Sequence, residues 1–177
     1  MKRPFPGALR TGVFAGIAGT AAMDLLWYSR HRAEGGTGTF VEWEFQSGID
    51  GFEDAPAPAK IGKILAGKAN IELPDSSAGL TNNVVHWTTG IAWGIAAALL
   101  RPLPKVGAIK SGILAGIGAW STSYAVLPKF GVYKPIDEYD KKTLWKDLSA
   151  HLVFGSAVGL TSFVLGPLRA IARHRNT

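Results

Sequence analysis

The sequence predicts an all-α protein, an integral membrane four-helix bundle with a partly helical extracytoplasmic segment between helices 1 and 2. Two observations carry this. The 177-residue chain contains long stretches almost free of Asp, Glu, Lys and Arg, although these four make up 18% of it. The basic residues also gather on the segments that an even number of crossings would place on one side. With no Cys, disulfides, cysteine-based zinc sites and thiol catalysis are excluded. The length suits a single membrane domain covering residues 1–177.

The first apolar stretch is 9–28, broken only by Arg10 near its start and Asp24 near its end. The second, third and fourth are 84–100, 111–127 and 148–168, none with a charged residue before the final boundary. A helix needs about 20 apolar residues to cross a bilayer, with a lower limit near 17. A water-soluble helix would show a polar face, which these stretches lack. The N-terminus has an alternative reading as a signal peptide: Lys2, Arg3 and Arg10 precede an apolar run that reaches Ala21-Ala22. The run continues through Leu25, Leu26 and Trp27, which favours a retained span.

Four spans put both termini on one side together with the link 101–110. Those regions hold Lys2, Arg3, Arg10, Arg101, Lys105, Lys110, Arg169, Arg173 and Arg175, and no acid. The positive-inside rule then assigns a multi-pass protein of the cytoplasmic (inner) membrane with both termini cytoplasmic. The net charge of +6 is therefore read as membrane orientation. Arg169, Arg173, His174 and Arg175 set topology and meet anionic lipid heads, so the lipid bilayer is the expected partner and nucleic acid is not.

Residues 29–83 form the large outer segment. Gly35-Gly36-Thr37-Gly38 is a flexible turn; it lacks the P-loop spacing. Phe40–Phe45 mixes aromatic and acidic residues suited to the membrane–water interface. Beyond a stiff Pro56/Pro58 joint, Ile61, Ile64 and Leu65 share a helical face interleaved with Lys60, Lys63 and Lys68. This short amphipathic helix either lies on the bilayer or caps the bundle. The segment is too small for an independent core. The second outer loop, 128–147, reads either as an ordered lid or as a solvated connector. Its Asp137, Glu138 and Asp140 form a solvated acidic cluster rather than a cation site.

Each span carries a GxxxG pair: Gly12/Gly16, Gly90/Gly94, Gly112/Gly116 and Gly155/Gly159. Small residues let helix backbones approach closely in lipid. Four pairs in four spans predict tight intramolecular packing, with a homo-oligomer or a membrane-complex partner also open.

Polar residues follow the same stripes at steps of four, hence on one face: Asp24 after Gly16 and Thr20; Asn82 and His86 before Gly90; Tyr124 after Gly116 and Trp120; Asp147 and His151 before Gly155. At 1.5 Å per residue, Asp24, His86, Tyr124 and His151 fall about 5–8 Å below the outer boundary. Asp147 and His151 form an i,i+4 pair in which the carboxylate accepts the imidazole N–H. Three roles fit this polar layer. One is a hydrogen-bonded cluster that fixes packing. The second is a proton path or small polar solute site. The third is a redox site in which His86 and His151 ligate haem, or Asp24, His86, Asp147 and His151 bind a divalent metal. No HExxH or GxSxG motif is present, and neither a catalytic residue nor a cofactor is predicted.

The strings AMDLLWY, EDAPAPAKIGK, LTNNVVHW, YKPIDEYD and KDLSAHLVFG resemble uncharacterised four-span membrane proteins of actinobacteria and related bacteria. In outline alone the chain is similar to the YagU-type inner-membrane family of unknown function. This resemblance implies four spans with a long outer segment and a connection to acid tolerance; it supplies no catalytic residue. The expected function is that of a non-enzymatic accessory or stress-related membrane protein, with a proton or solute carrier and a redox subunit as alternatives.

Overall fold

The computed structural model describes residues 5–45 and 49–174, with side chains at 7–45 and 49–165. Lys2, Arg3 and Arg175, and the side chains of Arg169, Arg173 and His174, lie outside the described residues. The described chain is helical and contains no strand. Four helices are long: α1 (Phe5–Ala33), α4 (Ala78–Leu100), α5 (Gly107–Val126) and α6 (Lys141–His174). Two short ones, α2 (Phe40–Glu44) and α3 (Ala57–Lys68), lie between α1 and α4.

Local chemistry sets these boundaries. The last turn of α1 carries Arg30, His31 and Arg32, cations that favour a helix C-terminus. Gly35 then turns the chain at φ +92°. Thr39 and Glu42 form a reciprocal capping box at the start of α2, the Thr39 N–H donating to Glu42 Oε2 at 2.7 Å. Pro58 enters α3 in its first turn, where its missing N–H costs nothing. Asp140 caps α6, its Oδ1 accepting the Thr143 N–H at 3.0 Å. Each long helix overruns its apolar stretch: α1 continues without a break past Ala21-Ala22 to Ala33, and α6 begins at Lys141 rather than Leu148. Backbone hydrogen bonding does not stop where apolar composition stops.

The long helices pack side by side, α1 and α5 each against both α4 and α6. The short link 101–106 makes α4 and α5 neighbours, and the start of α1 and the end of α6 lie at the end of that link, here called proximal. The packing follows the glycines. A Cβ on Gly12 would lie 2.5 Å from Ile95 Cα, and one on Gly16 would lie 2.6 Å from Gly90 O. On the other side, a Cβ on Gly155 would lie 2.6 Å from Gly112 O. The four GxxxG pairs therefore engage one another in two crossings, α1 with α4 and α5 with α6, as tight intramolecular packing requires. Between the crossings sits a core of small residues, Ala15, Ala97, Ala115 and Ala150, filled out by Met23, Phe154 and Val158. The buried hydroxyls of Thr11, Thr20 and Ser111 bond carbonyls of their own helices at 2.8–3.0 Å.

Many of the large apolar side chains point outward. Phe14 is 59% exposed, Leu160 58% and Phe163 58%, and Leu9, Leu25, Val84, Leu99, Leu114 and Val164 are exposed with them. Among the described residues one helix, Lys141–Leu165, is long and apolar enough by length and composition to cross a membrane.

Residues 49–77 wrap the distal end. Phe52, Ala55 and Ala59 share a small core with Ala78 of α4, so this segment docks on the long helices, in line with its size. The closest contact of α3 is made by its small residues rather than by Leu65 of the amphipathic face. α3 packs on α4 through Ala59 and Gly62, Gly62 facing Thr81 and Val85, whereas Leu65 is 53% exposed. Small residues win because they let the two backbones come close. The 128–140 loop is ordered: Tyr133 and Tyr139 set their rings on Tyr124 at 5.2 and 5.3 Å. The Lys68 ammonium lies over the Phe130 ring at 4.9 Å, joining α3 to that loop.

Candidate functional site

Toward the distal end the contact stripes change from glycine to polar residues. A cavity of about 430 Å³ opens there, within the usual range for small-molecule sites. Its wall draws on all four long helices and on α2 and α3. Asp24, Asn82, His86, Asp147 and His151 all line it, so five of the six residues expected in the polar layer meet at one site. The sixth, Tyr124, is buried behind it, its hydroxyl acting on Asp147. Tyr124 is packed between Trp120, Tyr133 and Tyr139.

The ionisable residues form two carboxylate–imidazole pairs. His86 Nε2 donates to Asp24 Oδ1 at 2.8 Å, linking α4 to α1. Only 4% of Asp24 is exposed, and the pair's low-dielectric setting strengthens the bond. In the second pair, His151 Nδ1 donates to the Asp147 carbonyl at 3.0 Å and lies 3.5 Å from Asp147 Oδ1. The predicted i,i+4 contact is present, but its shorter leg goes to the backbone, because a helix places that carbonyl directly beneath the ring. Arg30 closes the distal end, donating to the Lys146 carbonyl at 2.7 Å and to Ser149 Oγ at 2.8 Å while covering the Trp27 ring.

Several lining residues escape a search confined to the apolar stretches. Glu44 of α2 accepts the Trp87 indole N–H at 2.7 Å. Burial pushes its carboxyl above the usual carboxylate range; the Trp87 bond opposes this and the Asp24 charge adds to it. Burial and the nearby Asp147 charge also push the Tyr133 phenol up. Trp27, Trp43 and Trp93 supply aromatic faces. The mixture of aromatic and acidic residues in 40–45 was the available signal for Trp43 and Glu44. No local spacing points to Trp87 as the partner.

Among the described residues no group of three or more His, Cys, Asp or Glu is placed to hold one metal ion. His86 is engaged with Asp24 and His151 with Asp147.

The chain matches no known family model, no curated protein and no solved structure.

Proposed function

We propose that this protein is a non-enzymatic, multi-pass cytoplasmic-membrane protein, a four-helix bundle with both termini cytoplasmic, that binds a small polar solute from the extracytoplasmic side. The cavity carries the reading: it gathers ionisable side chains from separate helices at the end of the molecule opposite the termini. Evolution keeps buried ionisable groups in a membrane protein chiefly where they bind, conduct or relay.

The membrane assignment is supported by the inversion of ordinary packing. Water-soluble monomers rarely expose contiguous large apolar patches, yet here the buried residues are mostly small while Phe14, Leu25, Val84, Leu160, Phe163 and Val164 are exposed. That arrangement suits helices whose solvent is hydrocarbon. The stretch Lys141–Leu165 of α6 has the length and apolar composition of a span, and on α1, α4 and α5 the exposed Phe14, Leu99 and Leu114 support the same reading. The basic link 101–110 at the proximal end supplies the orientation.

Passage across the bilayer is the second reading. The proximal half is sealed by the two glycine crossings and the alanine core, so transport would need those contacts to part, whereas binding needs no movement.

The absence of cysteine makes the topology test direct. Single cysteines replacing Lys105 and Lys134 are labelled in spheroplasts with a membrane-impermeant maleimide. Labelling at 134 but not at 105 is expected; equal labelling, or the reverse, overturns the reading. Proteoliposomes preloaded with a pH dye separate the two functional readings, since dissipation of a proton gradient that is abolished by His151→Ala would favour passage over binding.

A further inference from the structure

The polar inventory of the cavity is unbalanced. It contains three carboxyl groups, from Asp24, Glu44 and Asp147, and no Lys or Arg lines it. Its only basic side chains are the two imidazoles, each already held by one of those aspartates or its backbone. Of the buried lining atoms with no hydrogen-bond partner among the described residues, Asp24 Oδ2, Asn82 Oδ1 and Asp147 Oδ2 are acceptors and one, Asn83 Nδ2, is a donor. Asp24 and Asn82 are each at least 95% buried, at 4% and 5% exposure. Such groups carry a full desolvation cost until a donor meets them. Arg30 is near enough to act on Asp147, but its guanidinium is committed to Lys146 and Ser149.

The apolar remainder of the wall is aromatic. Trp27, Trp43 and Trp93 line it with Tyr133. Trp27 already receives cations on its face, with Arg30 at 5.0 Å and the Lys146 ammonium at 5.7 Å. Trp43 and Trp93 offer further indole surface, and indole is the strongest aromatic partner for a cation. Unpaired carboxylate oxygens, an amide oxygen and indole rings in one cavity match a ligand that carries positive charge, N–H donors and a small apolar body.

We propose that the cavity takes a small organic cation, a protonated primary amine, whose ammonium donates to the free oxygens of Asp24 or Asp147 while its hydrocarbon part lies against the tryptophans. This rests on the solute-binding reading above and specifies its chemistry. An anion meets three carboxyl groups and, among the described lining residues, no Lys or Arg, while a neutral alcohol can donate to a carboxylate but brings no opposite charge to it.

The test uses the purified full-length chain in lipid nanodiscs, with three probes of equal size: benzylamine, benzyl alcohol and benzoate. Binding is read by calorimetry and by quenching of the lining tryptophans. Saturable binding of benzylamine, at least tenfold tighter than benzyl alcohol and without benzoate binding, is expected. Asp24→Asn and Asp147→Asn are each expected to weaken benzylamine binding by tenfold or more. Because either variant can disturb the fold, Trp43→Ala, on the short α2, is measured alongside and is expected to lose severalfold with circular dichroism unchanged. Benzoate or benzyl alcohol binding as tightly as benzylamine overturns the cation assignment and leaves the pocket standing. Silence of all three probes overturns the pocket itself, while cysteine labelling reports separately on the membrane assignment.

Discussion

Adding one methyl group at Gly16 tests the packing that holds the distal cavity open. In the structure a Cβ there would stand 2.6 Å from both Gly90 O and Ile91 Cα. Both are backbone atoms, so no side chain can swing aside. Ordinary contact begins at 3.4 Å, so α1 and α4 must part locally by about 0.8 Å. A gap of this size forfeits a quarter to a half of the dispersion energy between the atoms it separates. Overpacking of a close-fitted interior costs about 1–3 kcal/mol. Gly16→Ala is therefore expected to destabilise the fold by about 2 kcal/mol, roughly thirtyfold in the folding equilibrium at tenfold per 1.4 kcal/mol. Gly155→Ala, facing Gly112 O at 2.6 Å in the other crossing, is expected to cost a similar amount. The two should add within about 0.5 kcal/mol, since they share no partner. Gly67→Ala is the control: nothing lies within 4 Å of that position, so helix propensity alone gains about 1 kcal/mol. The assay is reversible unfolding by SDS in mixed micelles, followed by circular dichroism, with oligomeric state measured by light scattering. An unchanged unfolding curve for Gly16→Ala, with loss of an oligomer instead, would refute the intramolecular crossing and turn the stripe toward a second copy.

Three further outcomes are expected. His86→Ala strands the buried Asp24 carboxylate and should cost about 3 kcal/mol in the same SDS titration; Asp24→Asn added to it should recover part of the loss, because the neutral amide leaves no buried charge. Glu44 has a carboxyl raised by burial, so docking of α2 gains stability that is full below the unfolded carboxyl pKa and is lost as pH rises through the higher folded value. Fluorescence of Trp87 against pH should show this transition, and Glu44→Gln, which keeps an acceptor for the indole, should flatten it. The Asp140 carboxyl is held below its usual range by the Thr143 hydroxyl and N–H, so its capping contribution is present above the unfolded pKa and lost as pH falls through the folded one; Asp140→Ala should speed amide exchange in the first turn of α6 at neutral pH and remove that acid dependence.

The long helices and most of the polar layer were legible in the sequence because both obey local periodicity. Asp24, His86, Asp147 and His151 fall four residues from a glycine or threonine on the same stripe, and a stripe that packs by small residues carries its polar residues inward with it. Glu44 was not legible as a site residue: its burial depends on Trp87, 43 residues away, and on a chain reversal whose direction Gly35 and Gly38 leave open. Which face of α3 docks was open for a related reason. Ile61, Ile64 and Leu65 look like a buried face by the rule that applies in water, but where the neighbour is another closely approached helix, Ala59 and Gly62 are the better contact. The partnering of the glycine pairs was likewise invisible, since one GxxxG face carries no mark of which other it meets.

The crossings and the cavity have one origin. Along each stripe, side-chain volume at successive steps of four sets how far apart the helices stand. Between α1 and α4 the steps bring Gly12 and Gly16 to Gly94 and Gly90, where backbones touch. One step further, Thr20 fills the space beside Gly90, and the next brings Asp24 to His86. Between α5 and α6, Gly112 and Gly116 meet Gly159 and Gly155; beyond them the stripes reach Trp120 and His151, then Tyr124 and Asp147. The stripes pass from glycine to tryptophan, tyrosine and histidine toward the distal end, where ionisable groups line the cavity. The membrane setting proposed above would make this arrangement tenable. In water the exposed Phe14, Leu160 and Phe163 would favour collapse onto the gap, whereas in hydrocarbon they have no reason to leave the surface. The same glycines that seal the proximal half therefore act as the fulcrum of the cavity. A substitution there, though it touches no lining residue, should alter binding in the cavity as well as stability.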